Sequence, residues 1–493
     1  MPGPAAPRAR RAHIVRAALS VLVIGFFILC SVSPEFLLSD RRRDDGPRLR
    51  LNVLFIIADD MSAKLGCYGD PDIKSPNIDR LARRGTLFEH AYCQYALCNP
   101  SRTSFLSGRR PESTGVLANS TPPRTHLKDI DFLPEYFHRF GYYTLRVGKV
   151  AHHVFDQDLA WDFAEDPSPG QKADSRGARR RQQQDDREEN DRGLPAVEAT
   201  DYGDEGEPDG IAARSVASLL EQNRDKQFFL AVGFERPHRP FVAPKKYFDL
   251  YPADNIELPN ETINDGIPDG MKRAIIAGYD ACISFVDAQV GVIIDALDRL
   301  GLKDKTVIVF TSDHGLHVGE HDRFGKKQTL YETTARVPLI VAAPGKPSAA
   351  SRRLVELVDL YPTLLDLCRL PHPVGLEGLS FAPLLDRSDL PWKEAAFTTL
   401  YRQGVLRQSV RTERYRYSEA AGDRHDELYD HFKDPHEYYN RAGDFNYWAS
   451  RLILTELLRG GWQGVRAEML RRPDKQFYRI GTNASANSLV ELR

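Results

Sequence analysis

The chain has 493 residues, 41% hydrophobic and 28% charged, which is enough apolar material for a substantial folded core. Lysine and arginine number 67 against 69 aspartate and glutamate, a formal net charge of −2. That balance excludes a broadly basic nucleic-acid binder and an acidic solvating tail, so any handling of anions must be local.

At the N-terminus, Arg8, Arg10, Arg11 and Arg16 precede an apolar run from Ala17 to Val32, the layout of an export signal. The run falls short of the about 20 residues of a comfortable membrane span. Ser31-Val32-Ser33 has the small residues of a cleavage site, but Pro34 follows at once and hinders cleavage. Residues 1–46 are therefore expected to be an export signal or an uncleaved membrane anchor, followed by a charged linker. The product is expected outside the cytoplasm, whether secreted, periplasmic or lysosomal.

From residue 47 the pattern becomes that of a folded domain. VLFII (53–57) is a continuous apolar run of β-forming residues, as expected for a strand buried on both faces. Similar runs follow at TLRV (144–147), FFLAV (228–232), TVIVF (306–310) and PLIVAA (338–343). Helical periodicity lies between them, at 75–85, 132–141 and the long stretch 273–301. Strands alternating with helices predict an α/β fold with a mostly parallel, doubly wound sheet over residues 47–390. Residues 168–210 include SPGQKADSRGARRRQQQDDREENDRG, which is nearly free of apolar groups and cannot offset its ordering entropy. They predict a mobile surface insertion. Residues 391–493 change to short strand-like segments (409–418, 427–440) and an amphipathic stretch (451–462), a smaller α+β subdomain.

The six cysteines form no CxxC pair and no zinc spacing. With Cys30 in the leader and Cys98 set aside, Cys67, Cys93, Cys282 and Cys368 allow three disulfide pairings. Asn119, Asn260 and Asn483 open N-x-S/T triplets, acceptor sites in a host that glycosylates.

The chemistry gathers where the buried runs end. VLFII leads to Asp59 and Asp60; TLRV to Lys149 and His152; FFLAV to His238; TVIVF to Asp313 and His314. Ligands of an open parallel sheet sit outside the carboxyl ends of its strands. Three aspartates brought together there repel one another unless a hard dication compensates them, and oxygen donors suit calcium or magnesium. Arg102, Lys149, Lys326, His152 and His238 would make the same rim attractive to a small tetrahedral dianion. In CNPSRTSFLSG (98–108), Pro100 suits a first helical turn and Gly108 a helix end. Cys98 then stands at a helix N-terminus, as nucleophile, metal ligand, disulfide half, core filler or the precursor of another side chain.

CNPSRTSFLSG resembles the sulfatase pattern Cys-x-Pro-Ser-Arg followed by Leu-Ser/Thr-Gly, in which the cysteine is oxidised to formylglycine. NVLFIIADD, VGKVAHH, RPHRPF, SDHGLHVGEH, ARVPLIVAAPG and ACISFVDAQVG extend the resemblance over roughly 51–440. It is similar to the formylglycine-dependent sulfatases of the alkaline phosphatase-like superfamily. GKVxH, PHxPF and SDHGxHxGEH are most similar to the iduronate-2-sulfatase type. The resemblance implies a calcium site of Asp59, Asp60, Asp313, His314 and the modified Cys98. It implies that Arg102 steadies the formylglycine and that Lys149 and Lys326 hold the sulfate. His152 and His238 match active-site histidines, and Phe324 stands where tryptophan is more usual. The implied activity is hydrolysis of sulfate esters on sulfated sugars of the glycosaminoglycan type, after maturation by a formylglycine-generating enzyme. A hydrated aldehyde would attack sulfur, His238 or Lys326 would protonate the departing alcohol, and His152 would help to expel the sulfate. Two alternatives keep the same residues: a phosphonate monoester or phosphodiester hydrolase, and a catalytically silent binder of sulfated glycans.

Overall fold

The structure, a computed structural model, describes residues 50–167, 193–259, 266–422 and 426–471. The export segment, residues 168–192, Asn260 and Asn483 lie outside the described residues. The centre of the molecule is β1 (Asn52–Ala58), buried along its whole length. Its edges are paired parallel to β6 (Phe228–Gly233) and to β8 (Thr306–Ser312), and both its faces are covered by core layers. A strand with no solvated face shows no polar alternation, which is why VLFII reads as a solid apolar run.

The remaining strands of this sheet are β2 (Thr86–Tyr92), β3 (Tyr143–Gly148), β4 (Phe163–Glu165), β11 (Arg336–Val337), β12 (Leu339–Ala342) and β13 (Ala349–Glu356). Their order is β13–β2–β12–β8–β1–β6–β3–β4, with β11 beside β12 on β2. Only the pairings of β11 and β12 are antiparallel, so the sheet is mostly parallel as expected. Two short pairs lie apart, β5 (Val197–Thr200) with β7 (Phe241–Pro244) and β9 (His317–Val318) with β10 (Phe324–Lys326).

Counting helices of seven residues or more, α1 (Pro76–Ala82), α4 (Pro208–Gln222) and α5 (Asp269–Arg299) cover one face of the sheet. The other face is covered by α2 (Cys98–Ser107), α3 (Leu133–Arg139) and α6 (Leu360–Leu367). β1 divides its side chains between the two layers. Leu54, Ile56 and Ala58 join the α5 side, while Val53, Phe55 and Ile57 join the α2 side. Burying each of the larger ones contributes about 1.5–3 kcal/mol.

The C-terminal part carries an antiparallel sheet of β14 (Ala396–Arg402), β15 (Val405–Arg411), β16 (Tyr415–Ala420) and β17 (Glu427–Asp430). It packs under α7 (Trp448–Arg471) through Leu454, Leu458 and Val465, and α7 is broken at Gly461.

Three expectations change. The insertion is shorter than its composition implied, because Val197–Thr200 pairs with β7 and Pro208 opens α4. Val197 packs against α5 at Gly278, an anchor hidden by averaging its segment with the charged run before it. Cys67, Cys93, Cys98, Cys282 and Cys368 are all free thiols, so none of the possible disulfides forms among them. Asn119 is buried, and its side-chain oxygen accepts the Asn99 N–H at 3.1 Å, so this triplet is no surface acceptor.

Candidate active site

Strand register brings the carboxylates together. Ala58 of β1 pairs with Ser312 of β8, so Asp59 and Asp60 leave the sheet beside Asp313. Asp60 adopts a left-handed φ of 63°, held by three ties. Its N–H donates to Asp313 Oδ1 at 3.1 Å, the next N–H donates to Ser312 Oγ at 2.9 Å, and the Tyr279 hydroxyl of α5 donates to the Asp60 carbonyl at 2.8 Å. All three aspartates are buried, and each offers an oxygen within 4.8 Å of the others.

The next strand ends supply cations. β3 and β6 run so close at Gly148 and Gly233 that a Cβ on Gly233 would lie 1.7 Å from the Lys149 carbonyl oxygen. Only glycine fits there, and the approach delivers Lys149 to the rim, where Nζ donates to Asp59 Oδ2 at 2.5 Å. Arg102, fully buried on α2, donates Nε to Asp313 Oδ2 at 2.7 Å and a second nitrogen to Asp59 Oδ1 at 3.1 Å. Its remaining contacts are to the carbonyls of Lys149 and Val150, so one guanidinium joins three strand ends. Burial alone would raise the Asp59 carboxyl, but Lys149 and then Arg102 hold it well below the usual carboxylate range. Asp60 is likewise lowered: burial raises it, but Lys327, His238 and His314 together outweigh that.

Every residue of α2 is buried, and Cys98 begins it. Its Sγ lies 3.1 Å from Lys327 Nζ, 3.4 Å from His314 Nε2 and 4.0 Å from Asp60 Oδ1. His314 Nδ1 lies 3.0 Å from the Gly315 carbonyl; because a carbonyl only accepts, Nδ1 carries the hydrogen and Nε2 turns a lone pair towards Asp60 and Cys98. His238, in the loop after β6, follows the same logic. Its Nδ1 donates to the Arg239 carbonyl at 2.6 Å, leaving Nε2 at 3.8 Å from Asp60 Oδ2. Burial and then Lys327 lower the His238 imidazole below its ordinary range.

The structure thus brings Asp59, Asp60, Cys98, Arg102, Lys149, His238, Asp313 and His314 into one cluster. His152 is buried just after β3, with its ring 6.3 Å from that of Phe155, and joins neither metal-competent grouping around Cys98. Among the described side chains, the lysine that reaches the thiol is Lys327, which also donates to Asp60 at 3.1 and 3.2 Å. Lys326 was the residue expected; its backbone pairs with His317 in the β9–β10 hairpin, and its side chain lies outside the described residues. That hairpin shifts register between Phe324 and Lys326, and such an irregularity reassigns which residues face which side. The only signal in the sequence was that two lysines stand together. Phe324 is buried in the core layer on the α5 side of the sheet.

The donor set fits a hard divalent cation. Three buried carboxylates and one imidazole lone pair converge, and the thiol of Cys98 is the one soft donor among them.

The sulfatase family matches residues 51–370, well over half the chain, and the family described as N-sulphoglucosamine sulphohydrolase, C-terminal, matches 319–460. The chain belongs to the sulfatase family. It is a sulfuric ester hydrolase, and its relatives agree. A sulfatase from Formosa agariphila is 33% identical over 83% of this chain and 86% of that protein. The iduronate 2-sulfatase of Homo sapiens is 32% identical over 78% of this chain and 88% of its own. Among solved structures, the phosphonate monoester hydrolase of Agrobacterium radiobacter superposes with a TM-score of 0.71 and 25% identity, covering 85% of this chain and 96% of that one. The superposition agrees with the doubly wound α/β fold expected from the alternating strands and helices and with the alkaline phosphatase-like superfamily that the resemblance implied.

Proposed function

We propose that this sulfatase removes sulfate from sulfated sugar residues of the glycosaminoglycan class, using a formylglycine made from Cys98 beside one divalent cation, calcium by the oxygen-rich donor set. The observation that carries this reading is the placement of Cys98 Sγ among Lys327, His314 and Asp60. The kinship with iduronate 2-sulfatase supports the sugar class. The arginine-flanked apolar segment at 17–32 supports export, or anchoring at a membrane.

Burial and then Asp59 push the Cys98 thiol well above its ordinary range, so it is neutral and a weak nucleophile as it stands. A formylglycine supplies a hydrated aldehyde whose oxygen can attack sulfur and whose carbonyl can later reform to release sulfate; a cation at the aspartates supplies polarisation of the sulfate oxygens. The chain's own residues do the rest. Lys149 and Lys327 place two ammonium groups where negative charge grows on the sulfate. Arg102 clamps Asp59 and Asp313 so that their oxygens stay convergent. His238 has Nδ1 committed to Arg239, so Nε2 is the nitrogen that faces the departing alcohol oxygen, and it must first take up a proton to serve as the acid.

The test pairs two measurements. The Cys98 peptide should be about 18 Da lighter than its unmodified mass, since a carbonyl oxygen replaces a thiol and a hydrogen. Protein carrying that change should release sulfate from 2-O-sulfated uronic acid disaccharides, and a Cys98→Ala variant should not. An unmodified peptide in fully active protein would sink the proposal. The likeness to the phosphonate monoester hydrolase favours one rival reading. A higher kcat/KM on phosphonate monoesters or phosphodiesters than on any sulfate ester would establish it.

A further inference from the structure

The loop that carries His238 is held from outside the active site. β6 ends at Gly233, and Glu235 to Pro240 then leave the sheet in a turn whose His238 N–H donates to the Glu235 carbonyl at 3.0 Å. The N–H groups of Glu235 and Arg236 both terminate on one side chain. Asp209 Oδ1 accepts from Glu235 at 2.8 Å, and Asp209 Oδ2 accepts from Arg236 at 2.9 Å. Asp209 is buried in the first turn of α4, inside the end of the 168–210 segment whose composition predicted disorder. The two bonds fix the direction in which the chain enters the His238 turn. Arg236 then ties the far side of the turn, donating Nε to the Val242 carbonyl at 2.9 Å and a terminal nitrogen to the His238 carbonyl at 3.3 Å.

From this geometry we infer that Asp209 is a positioning residue for proton delivery, holding the His238 loop so that Nε2 meets the departing oxygen. The inference rests on the proposed role of His238 as the acid. In that step His238, protonated on both ring nitrogens, passes its Nε2 proton to the alcohol oxygen as the bond from that oxygen to sulfur breaks; the electron pair of the bond remains on oxygen and the imidazole is left neutral. Asp209 touches neither substrate nor sulfate. Its two acceptor oxygens replace water on two adjacent backbone donors, an arrangement that only a carboxylate of this length completes. An asparagine offers one acceptor and turns a donor against the second N–H. Small displacements of a catalytic group are costly, with about 1 Å worth on the order of 100-fold.

The experiment compares two leaving groups. A sugar alkoxide departs poorly and needs a proton, whereas 4-nitrophenolate departs well without one. In the intact, matured protein, Asp209→Asn should lower kcat on a sulfated disaccharide about tenfold with KM unchanged, while turnover of 4-nitrophenyl sulfate persists. In a His238→Ala background the same substitution should cost nothing further, because the group it positions is gone. Asp209→Ser, which keeps one acceptor oxygen and removes the charge, should behave alike, so that the result does not hang on one variant folding well. Equal losses on both substrates, or full additivity with His238→Ala, would mean that Asp209 merely supports the fold, and the inference fails. If His238→Ala itself affects both substrates equally, the acid role fails first. If His238→Ala discriminates between leaving groups and Asp209→Asn does not, only the positioning claim falls.

Discussion

At Lys327 a single, mostly buried ammonium group serves two acceptors, the Asp60 carboxylate and the Cys98 sulfur. Burial opposes its charge, yet Asp60, foremost among the nearby carboxylates, holds its pKa well above the usual lysine value. It stays charged where a sulfate would sit. Lys327→Ala should therefore reduce kcat by about 10²–10³, the cost of one lost donor to developing charge. Lys326→Ala, assayed beside it, should do much less; the opposite ranking would return the role to the residue the family pattern named. Most of the site was legible one residue at a time. Asp59, Asp60 and Asp313 each directly follow a buried strand, where charge has no structural use, and Cys98 and Arg102 stand in a run that matches a specific pattern. Lys327 was not legible, because the register shift between Phe324 and Lys326 defeats counting along an alternating strand.

Whole elements act as braces for these residues, and α5 is the clearest. Its Tyr279 hydroxyl fixes the Asp60 carbonyl and accepts the Ser62 N–H at 2.9 Å, bracing the strained turn from behind. Two turns on, Asp287 caps a different helix: its carboxylate accepts the N–H groups of Asn77 at 3.0 Å and Ile78 at 2.7 Å, at the start of α1. The local cap candidate Ser75 makes no such bond. Asp287→Ala should lower the unfolding free energy by about 1–3 kcal/mol, leaving buried donors unmatched, and equilibrium denaturation would measure it. The long apolar strands were visible in the sequence because the centre of the sheet tolerates nothing else. β2 and β13 were not, since Glu89, His90, Arg352 and Arg353 interrupt them where one face meets solvent. A helix capped by a residue about 210 positions away leaves no local signal at all.

Across the whole molecule, the C-terminal sheet is bound to the main one by buried charge. Glu356, the last residue of β13, accepts both terminal nitrogens of Arg110 at 2.8 and 2.6 Å, Lys393 Nζ at 2.6 Å and the Phe397 N–H of β14 at 2.9 Å. Burial raises its carboxyl, but Arg110 and then Lys393 outweigh that and bring it down to about 2 from 4.5. A lowered carboxyl lends stability above its unfolded value and loses it as pH falls through its folded one. The contribution should therefore be whole above about pH 4.5 and vanish towards about pH 2. Glu356→Gln should cost about 3–5 kcal/mol at neutral pH, because Arg110 and Lys393 stay buried without their counter-charge. It should also flatten the acid limb of a plot of unfolding midpoint against pH; an unchanged limb would show that other carboxylates govern acid unfolding. The sequence announced the change of architecture near residue 390 but not this joint, because its partners come from three separate stretches of chain.

The position of β1 has a consequence for the order in which the protein is made. Both flanking strands come late, and the Asp60–Asp313 contact spans 253 residues. A growing chain must hold β1 half-paired until β8 has left the ribosome. Until then Arg102 lacks its Asp313 partner, and the Ser101 hydroxyl lacks the Asp313 carbonyl that it meets at 2.7 Å. The helix bearing Cys98 is consequently among the last parts to lock. Any enzyme that acts on that thiol has its opportunity during synthesis and loses it once residue 313 docks.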